Sequence, residues 1–169
     1  MSEYVAEDLL TLAGSLLNLL ARRGWFMGTA ESLTGGMVGS RICDVPGASD
    51  VFRGSIVSYS SDVKFDLLGV PDGPVVTEDA ARAMALGARR VLGADVGIAA
   101  TGVAGPDPQE GRRPGTVCLA VAIGAPGSGA AATEPDLVDS IEVLLPGRRQ
   151  QVREFSVISL LGLLRRHLV

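Results

Sequence analysis

The chain has one histidine, His167, and one lysine, Lys64, among its 169 residues. These two scarcities narrow the available chemistry more than any abundance does. His167 stands near the end of the last predicted helix, where it reads as a solvated terminal residue, so a Ser-His-Asp arrangement is not expected. Of the 15 lysines and arginines, every one but Lys64 is arginine. Arginine keeps its proton, whereas lysine can be tuned to act as a base, so the single lysine is a candidate for chemistry that arginine could not perform.

Other shortages exclude further classes. The two cysteines, Cys43 and Cys118, sit far apart inside apolar runs and match neither metal-ligand nor disulfide-framework spacing, and buried reduced thiols are expected. No cluster of carboxylates or His/Cys ligands appears, so the expected reaction uses no metal and no cofactor. No apolar run approaches the roughly eighteen residues that a membrane-spanning helix needs. The first residues are acidic where a signal peptide would be basic. A soluble, cytoplasmic protein without membrane contact is expected. Basic residues occur only in short groups, and the net charge is -4 with a pI near 5.0. A nucleic-acid partner, which would need clustered cations to displace counterions, is not expected.

With 47% hydrophobic residues the chain can bury a substantial core, and residues 1–169 read as a single domain. Apolar residues at three- and four-residue spacing predict a helix over 3–22, ended by Gly24. WFMGTA reads as a strand, followed by a helix opened by Gly35 and Gly36 and running to Cys43. FRGSIVSYS reads as a strand and SDVKFDLLGV as a short helix capped by Ser60 or Ser61. Thr77 caps the helix EDAARAMALGARRVL, which stops at Gly93. ADVGIAAT and GTVCLAVAIG read as strands covered on both faces, and LVDSIEVLL as a more exposed edge strand. The residues APGSGAAATEP read as a flexible connector, and the chain closes with a helix from about residue 146. This pattern predicts an α/β fold, a three-layer α/β/α sandwich with a mixed, mostly parallel sheet. TAESLTGG, SYSSDVK and TGVAGP each follow a strand, and in such sheets ligands gather at the carboxyl ends of strands.

Two readings of TAESLTGG compete. Ser32 or Thr34 could be an ordinary N-cap. Alternatively Ser32 is a nucleophile, with free amides around Thr34, Gly35 and Gly36 stabilising a developing oxyanion. A serine needs a base, and Lys64 is the conventional candidate left, with the Tyr59 hydroxyl able to bridge or relay a proton. Burial and a nearby cation such as Arg53 would lower the lysine pKa, and a close Glu31 would oppose that. The glycine-rich TGVAGPDPQEGRRPG resembles a loop that cradles phosphate or ribose, though it fits neither a Walker A nor a GxGxxG pattern. Arg112, Arg113, Arg148, Arg149 and Arg153 are available to pair a phosphate.

Taken together, TAESLTGG, VPGAS followed by a strand and Tyr59, the lysine five positions on, LGV, ADVGIAATGVAGP and GTV resemble the CinA C-terminal domain, or nicotinamide-nucleotide amidase, family. The resemblance runs in order from about residue 5 to the last helix. It implies an α/β/α sandwich and hydrolysis of the carboxamide of nicotinamide mononucleotide to nicotinate mononucleotide and ammonia, in pyridine nucleotide salvage. By position it implies Ser32 as nucleophile, with Tyr59 and Lys64 assisting. Glu31, Thr34, Gly35 and Gly36 would line the site, with Thr101, Gly102, Ala104 and Gly105 near the nucleotide and Arg153 on the pattern GRRQQVR. Leu33 stands where the family often has cysteine, Ser55 where it often has glycine, and LGVPDGPVVT is shorter than usual. The separate N-terminal domain of some members, and its activity, is expected to be absent. A homo-oligomer is expected, with a dimer favoured. The alternative is a nucleotide-binding or regulatory module linked to competence or DNA damage, with the same pocket and no turnover.

Overall fold

The computed structural model describes residues 3–124 and 135–169, with side chains from residue 9 onward. The predicted connector APGSGAAATEP falls largely on residues 125–134, outside the described residues. The elements follow the order α1 (Glu3–Arg23), β1 (Met27–Glu31), α2 (Met37–Cys43), β2 (Phe52–Val57), α3 (Ser61–Asp66), α4 (Glu78–Leu92), β3 (Val96–Gly102), β4 (Thr116–Ile123), β5 (Leu137–Leu144) and α5 (Arg149–Leu168), with a 3-10 turn at Ala48–Asp50.

The five strands form one mixed sheet in the order β2-β1-β3-β4-β5. β1 pairs in parallel with both β2 and β3, while β4 is antiparallel to β3 and to β5. β4 therefore runs against the other four. The direct β3-to-β4 connection produces this reversal, because a parallel pair would need a longer crossover. The carboxyl ends of β2, β1 and β3 end up side by side at one edge.

Alternation along β3 and β4 divides their side chains between two cores. Val96, Ile98, Val117, Leu119 and Val121 join Leu16 and Leu20 of α1 and Leu160, Leu161 and Leu164 of α5 in one cluster. Ala99, Cys118, Ala120 and Ala122 join Ala81, Met84, Ala85 and Ala88 of α4 in the other. All eight residues of β4 are buried, which explains its uninterrupted apolar sequence. The small residues on the α4 side let that helix lie close to the sheet. A Cβ on Gly97 would come within 2.0 Å of the Ala85 carbonyl oxygen.

Several local expectations are corrected. Cys43, in the last turn of α2, is exposed, while Cys118 is buried, with its thiol pushed up to about 11, chiefly by burial and next by the Glu142 carboxylate. His167 is not a free terminal side chain. Its Nε2 lies 2.9 Å from Asp139 Oδ2 and ties the end of α5 to β5. The Thr77 cap is present as expected, its Oγ1 accepting from the Ala80 amide at 3.0 Å.

Candidate active site

β1 ends at Glu31, and the chain turns through residues 32–36 before α2 begins. A helix start leaves amides without intrahelical partners, and here a carboxylate takes them. Glu31 is fully buried. Its Oε2 accepts from the Gly36 and Val38 amides, each at 3.0 Å, and its Oε1 accepts from the Gly39 amide at 2.8 Å and the Ser55 hydroxyl at 2.7 Å. These donors compensate for removing the charge from water. Of the two readings of this turn, the one in which a Ser32 or Thr34 hydroxyl caps the helix is not met. Gly36 is the N-cap, at a left-handed φ of 92°, and no side chain caps from that position. The Thr34 hydroxyl is buried without a partner among the described residues.

The same bonds revise where an anion could be held. The Gly36 amide is committed to Glu31, and the Gly35 amide donates to the Ser32 carbonyl at 3.0 Å. The Leu33 and Thr34 amides have no partner among the described residues. Arg153 holds this turn from behind, donating from Nε to the Leu33 carbonyl and from Nη2 to the Thr34 carbonyl, both at 2.9 Å. A trans peptide directs its N–H opposite its carbonyl, so the Thr34 amide points away from Arg153.

In front of the turn lies a cleft of about 160 Å³. Ser32 and Leu33 border it from the end of β1, Tyr59, Ser61 and Lys64 from the segment after β2, and Thr101 to Gly105 from the end of β3. Val75, Val76, Asp107, Gln109 and Arg149 complete its rim. Of the residues singled out in the sequence, Ser32, Tyr59, Lys64, Thr101, Gly102, Ala104 and Gly105 therefore share one cleft. Glu31, Thr34, Gly35, Gly36 and Arg153 do not border it; they build and hold the turn behind Ser32.

Lys64 is 1% exposed. Its Nζ donates to the Tyr59 carbonyl at 3.4 Å and has no carboxylate within ion-pair distance among the described residues. Burial lowers its pKa below the ordinary lysine value, and the Glu110 carboxylate acts in the opposite direction. Arg53 is not among the causes of that shift, and the opposing charge is Glu110 rather than Glu31; the Arg53 guanidinium lies over the Phe26 ring at 3.9 Å. The Tyr59 side chain is 61% exposed. Its hydroxyl accepts from Arg149 Nη2 at 2.8 Å, and Arg149 Nη1 donates to the Gly105 carbonyl, also at 2.8 Å. Sequence spacing could place Arg149 and Arg153 on one helix face but could not say which reaches the cleft. Val75, Val76 and Glu110 carried no sequence signal. Among the described residues no group of three His, Cys, Asp or Glu side chains could hold a metal ion, and no helix is long and apolar enough to cross a membrane.

The fold and the cleft define a class: an α/β protein with a serine and a buried lysine lining one cleft at the carboxyl ends of parallel strands. The CinA C-terminal domain matches residues 9–168, and the chain belongs to that family. It is 44% identical to a CinA-like protein of Frankia casuarinae over 168 residues, 96% of this chain and 36% of that protein. A putative competence-damage inducible protein of Limosilactobacillus reuteri is 49% identical over 124 residues, 70% of this chain and 30% of its own length. The chain thus spans about a third of the length of these curated relatives. Among solved structures it is similar to a competence or damage-inducible protein from Enterobacter asburiae, with a TM-score of 0.85, 28% identity and coverage of 95% and 98% of the two chains. A CinA superfamily protein from Enterobacter cloacae gives a TM-score of 0.79 at 32% identity, covering 93% and 92%.

Proposed function

We propose that the protein hydrolyses the carboxamide of nicotinamide mononucleotide to nicotinate mononucleotide and ammonia through an acyl-enzyme on Ser32. The observation that carries this reading is Lys64, the one lysine of the chain, buried with a lowered pKa on the same cleft as Ser32. A neutral amine beside a hydroxyl is the minimum equipment for activating a serine without histidine.

In this mechanism neutral Lys64 takes the Ser32 hydroxyl proton as Oγ attacks the carboxamide carbon. The carbonyl electron pair moves to oxygen, and the uncommitted amide of Leu33, which borders the cleft, donates to that oxyanion. When the intermediate collapses, the carbon–nitrogen bond breaks and Lys64 returns the proton to the leaving nitrogen, releasing ammonia. Water, deprotonated by the same amine, cleaves the ester and restores Ser32. Arg149 has N–H donors beyond the two it uses and sits at the start of α5, where the helix dipole also favours an anion. It is the arginine best placed to hold the nucleotide phosphate. Thr101 to Gly105 would contact the nucleotide.

The test is ammonia release from nicotinamide mononucleotide, with nicotinamide and its riboside as comparison substrates. The reading expects turnover by wild type that requires the phosphate, and none by Ser32→Ala. Saturable binding without ammonia would instead favour a regulatory module using the same pocket, and turnover of all three amides would favour a general amidase.

A further inference from the structure

The wall of the cleft formed by Val75 and Val76 belongs to no helix or strand, yet three side-chain oxygens hold it. Thr101 Oγ1 donates to the Val75 carbonyl at 2.8 Å. From the other side the Glu110 carboxylate accepts from the Val75 amide at 3.1 and 3.0 Å and from the Val76 amide at 2.9 Å. Glu110 reaches them from the glycine-rich loop with a φ of 53°, making it the one non-glycine residue with positive φ among the described residues. That conformation is disfavoured for an ordinary side chain, and here it coincides with a three-bond attachment between two loops.

We propose that Glu110 is a positioning residue of this cleft: its carboxylate, seated on the Val75 and Val76 amides, fixes the wall of the cleft that Lys64 also lines and keeps a negative charge within electrostatic reach of that amine. The proposal rests on the amidase reading for its catalytic meaning. Asp62 and Asp66 lie on the helix of Lys64, Tyr59, Asp107 and Arg149 line the same cleft, Arg90 of α4 is bonded to the Leu67 carbonyl just after that helix, and Glu110 lies in the glycine-rich loop that follows Asp107. Of these charges, Glu110 is the one that acts on the lysine, opposing the effect of burial. Both Glu110 oxygens are engaged by amides, and the carboxylate favours protonated Lys64 without lying within ion-pair distance of it.

Since the chain has one lysine, selective lysine labelling gives a single side-chain Nζ resonance, and its titration by NMR reads Lys64 directly, with or without turnover. Glu110→Gln keeps an amide oxygen to accept from Val75 or Val76 but removes the charge. It is expected to move the Lys64 midpoint to lower pH and to move the acidic limb of kcat/KM in the same direction, with KM nearly unchanged. Glu110→Ala is expected to move the midpoint likewise and, by releasing the wall, to lower kcat/KM by about a further tenfold, mainly through KM. A Lys64 midpoint unchanged in folded Glu110→Gln and Glu110→Ala would overturn the proposal. An unchanged KM in Glu110→Ala would overturn its positioning half. Wild type that releases no ammonia but shows the shifted midpoint in Glu110→Gln would defeat the amidase reading while upholding the electrostatic link.

Discussion

Lys64 places a cation in the protein interior with no ion-pair partner among the described residues, and the free-energy cost falls on the folded state alone. Its folded pKa lies below that of the unfolded chain, so the unfolded state binds the proton more strongly. The sign follows from proton linkage. The penalty is complete below the lowered folded pKa and is relieved as pH rises from there toward the ordinary lysine value of 10.5. Lys64→Met, which removes the charge while keeping the volume, is expected to raise stability near pH 7 by roughly 1 kcal/mol in urea denaturation. That advantage should shrink toward pH 10, and the variant should release no ammonia. Such opposition between stability and activity is typical of a group retained for chemistry. The scarcity of lysine made this residue visible in the sequence. Its burial and the identity of the opposing carboxylate were not visible, because they depend on a loop more than forty residues away in the chain.

At the level of the element, helix and strand limits were legible wherever local chemistry sets them. Thr77 and Gly93 bound α4 as their residue types suggest, and Thr77→Ala should cost about 1 kcal/mol in urea denaturation. The group that caps α2 was not legible for an equally physical reason. A serine and a threonine before two glycines have the composition of a cap, but Glu31, still within β1, reaches the amides first and is joined by Ser55 of β2. A cap supplied from the end of the preceding strand, five residues before the N-cap position, lacks the usual N-cap spacing. Glu31→Gln exchanges one accepting oxygen for a donor facing backbone amides. It should destabilise the fold by on the order of 2 kcal/mol and, by disordering the Ser32 turn, reduce turnover more than substrate affinity.

For the whole molecule, the sheet order sets the site. β2, β1 and β3 are adjacent and parallel, so the three segments following them meet, as the alternation of strands and polar turns implied. Which side chain of α5 enters the cleft was beyond the sequence, since Arg149 and Arg153 are one helical turn apart and fall on the same helix face. Arg149→Met is expected to raise KM for the nucleotide by roughly tenfold or more, while Arg153→Met is expected to lower kcat with a smaller change in KM, both read from steady-state ammonia release. In the proposed mechanism Lys64 works as a neutral base rather than as a fixed positive charge. The measurement that tests it most directly is the kcat/KM for ammonia release from nicotinamide mononucleotide across pH, wild type against Lys64→Arg. The wild-type rate is expected to rise with pH through a midpoint below the ordinary lysine value, with a loss of at least about a hundredfold in Lys64→Arg at every pH. Turnover by Lys64→Arg at the wild-type rate would contradict it.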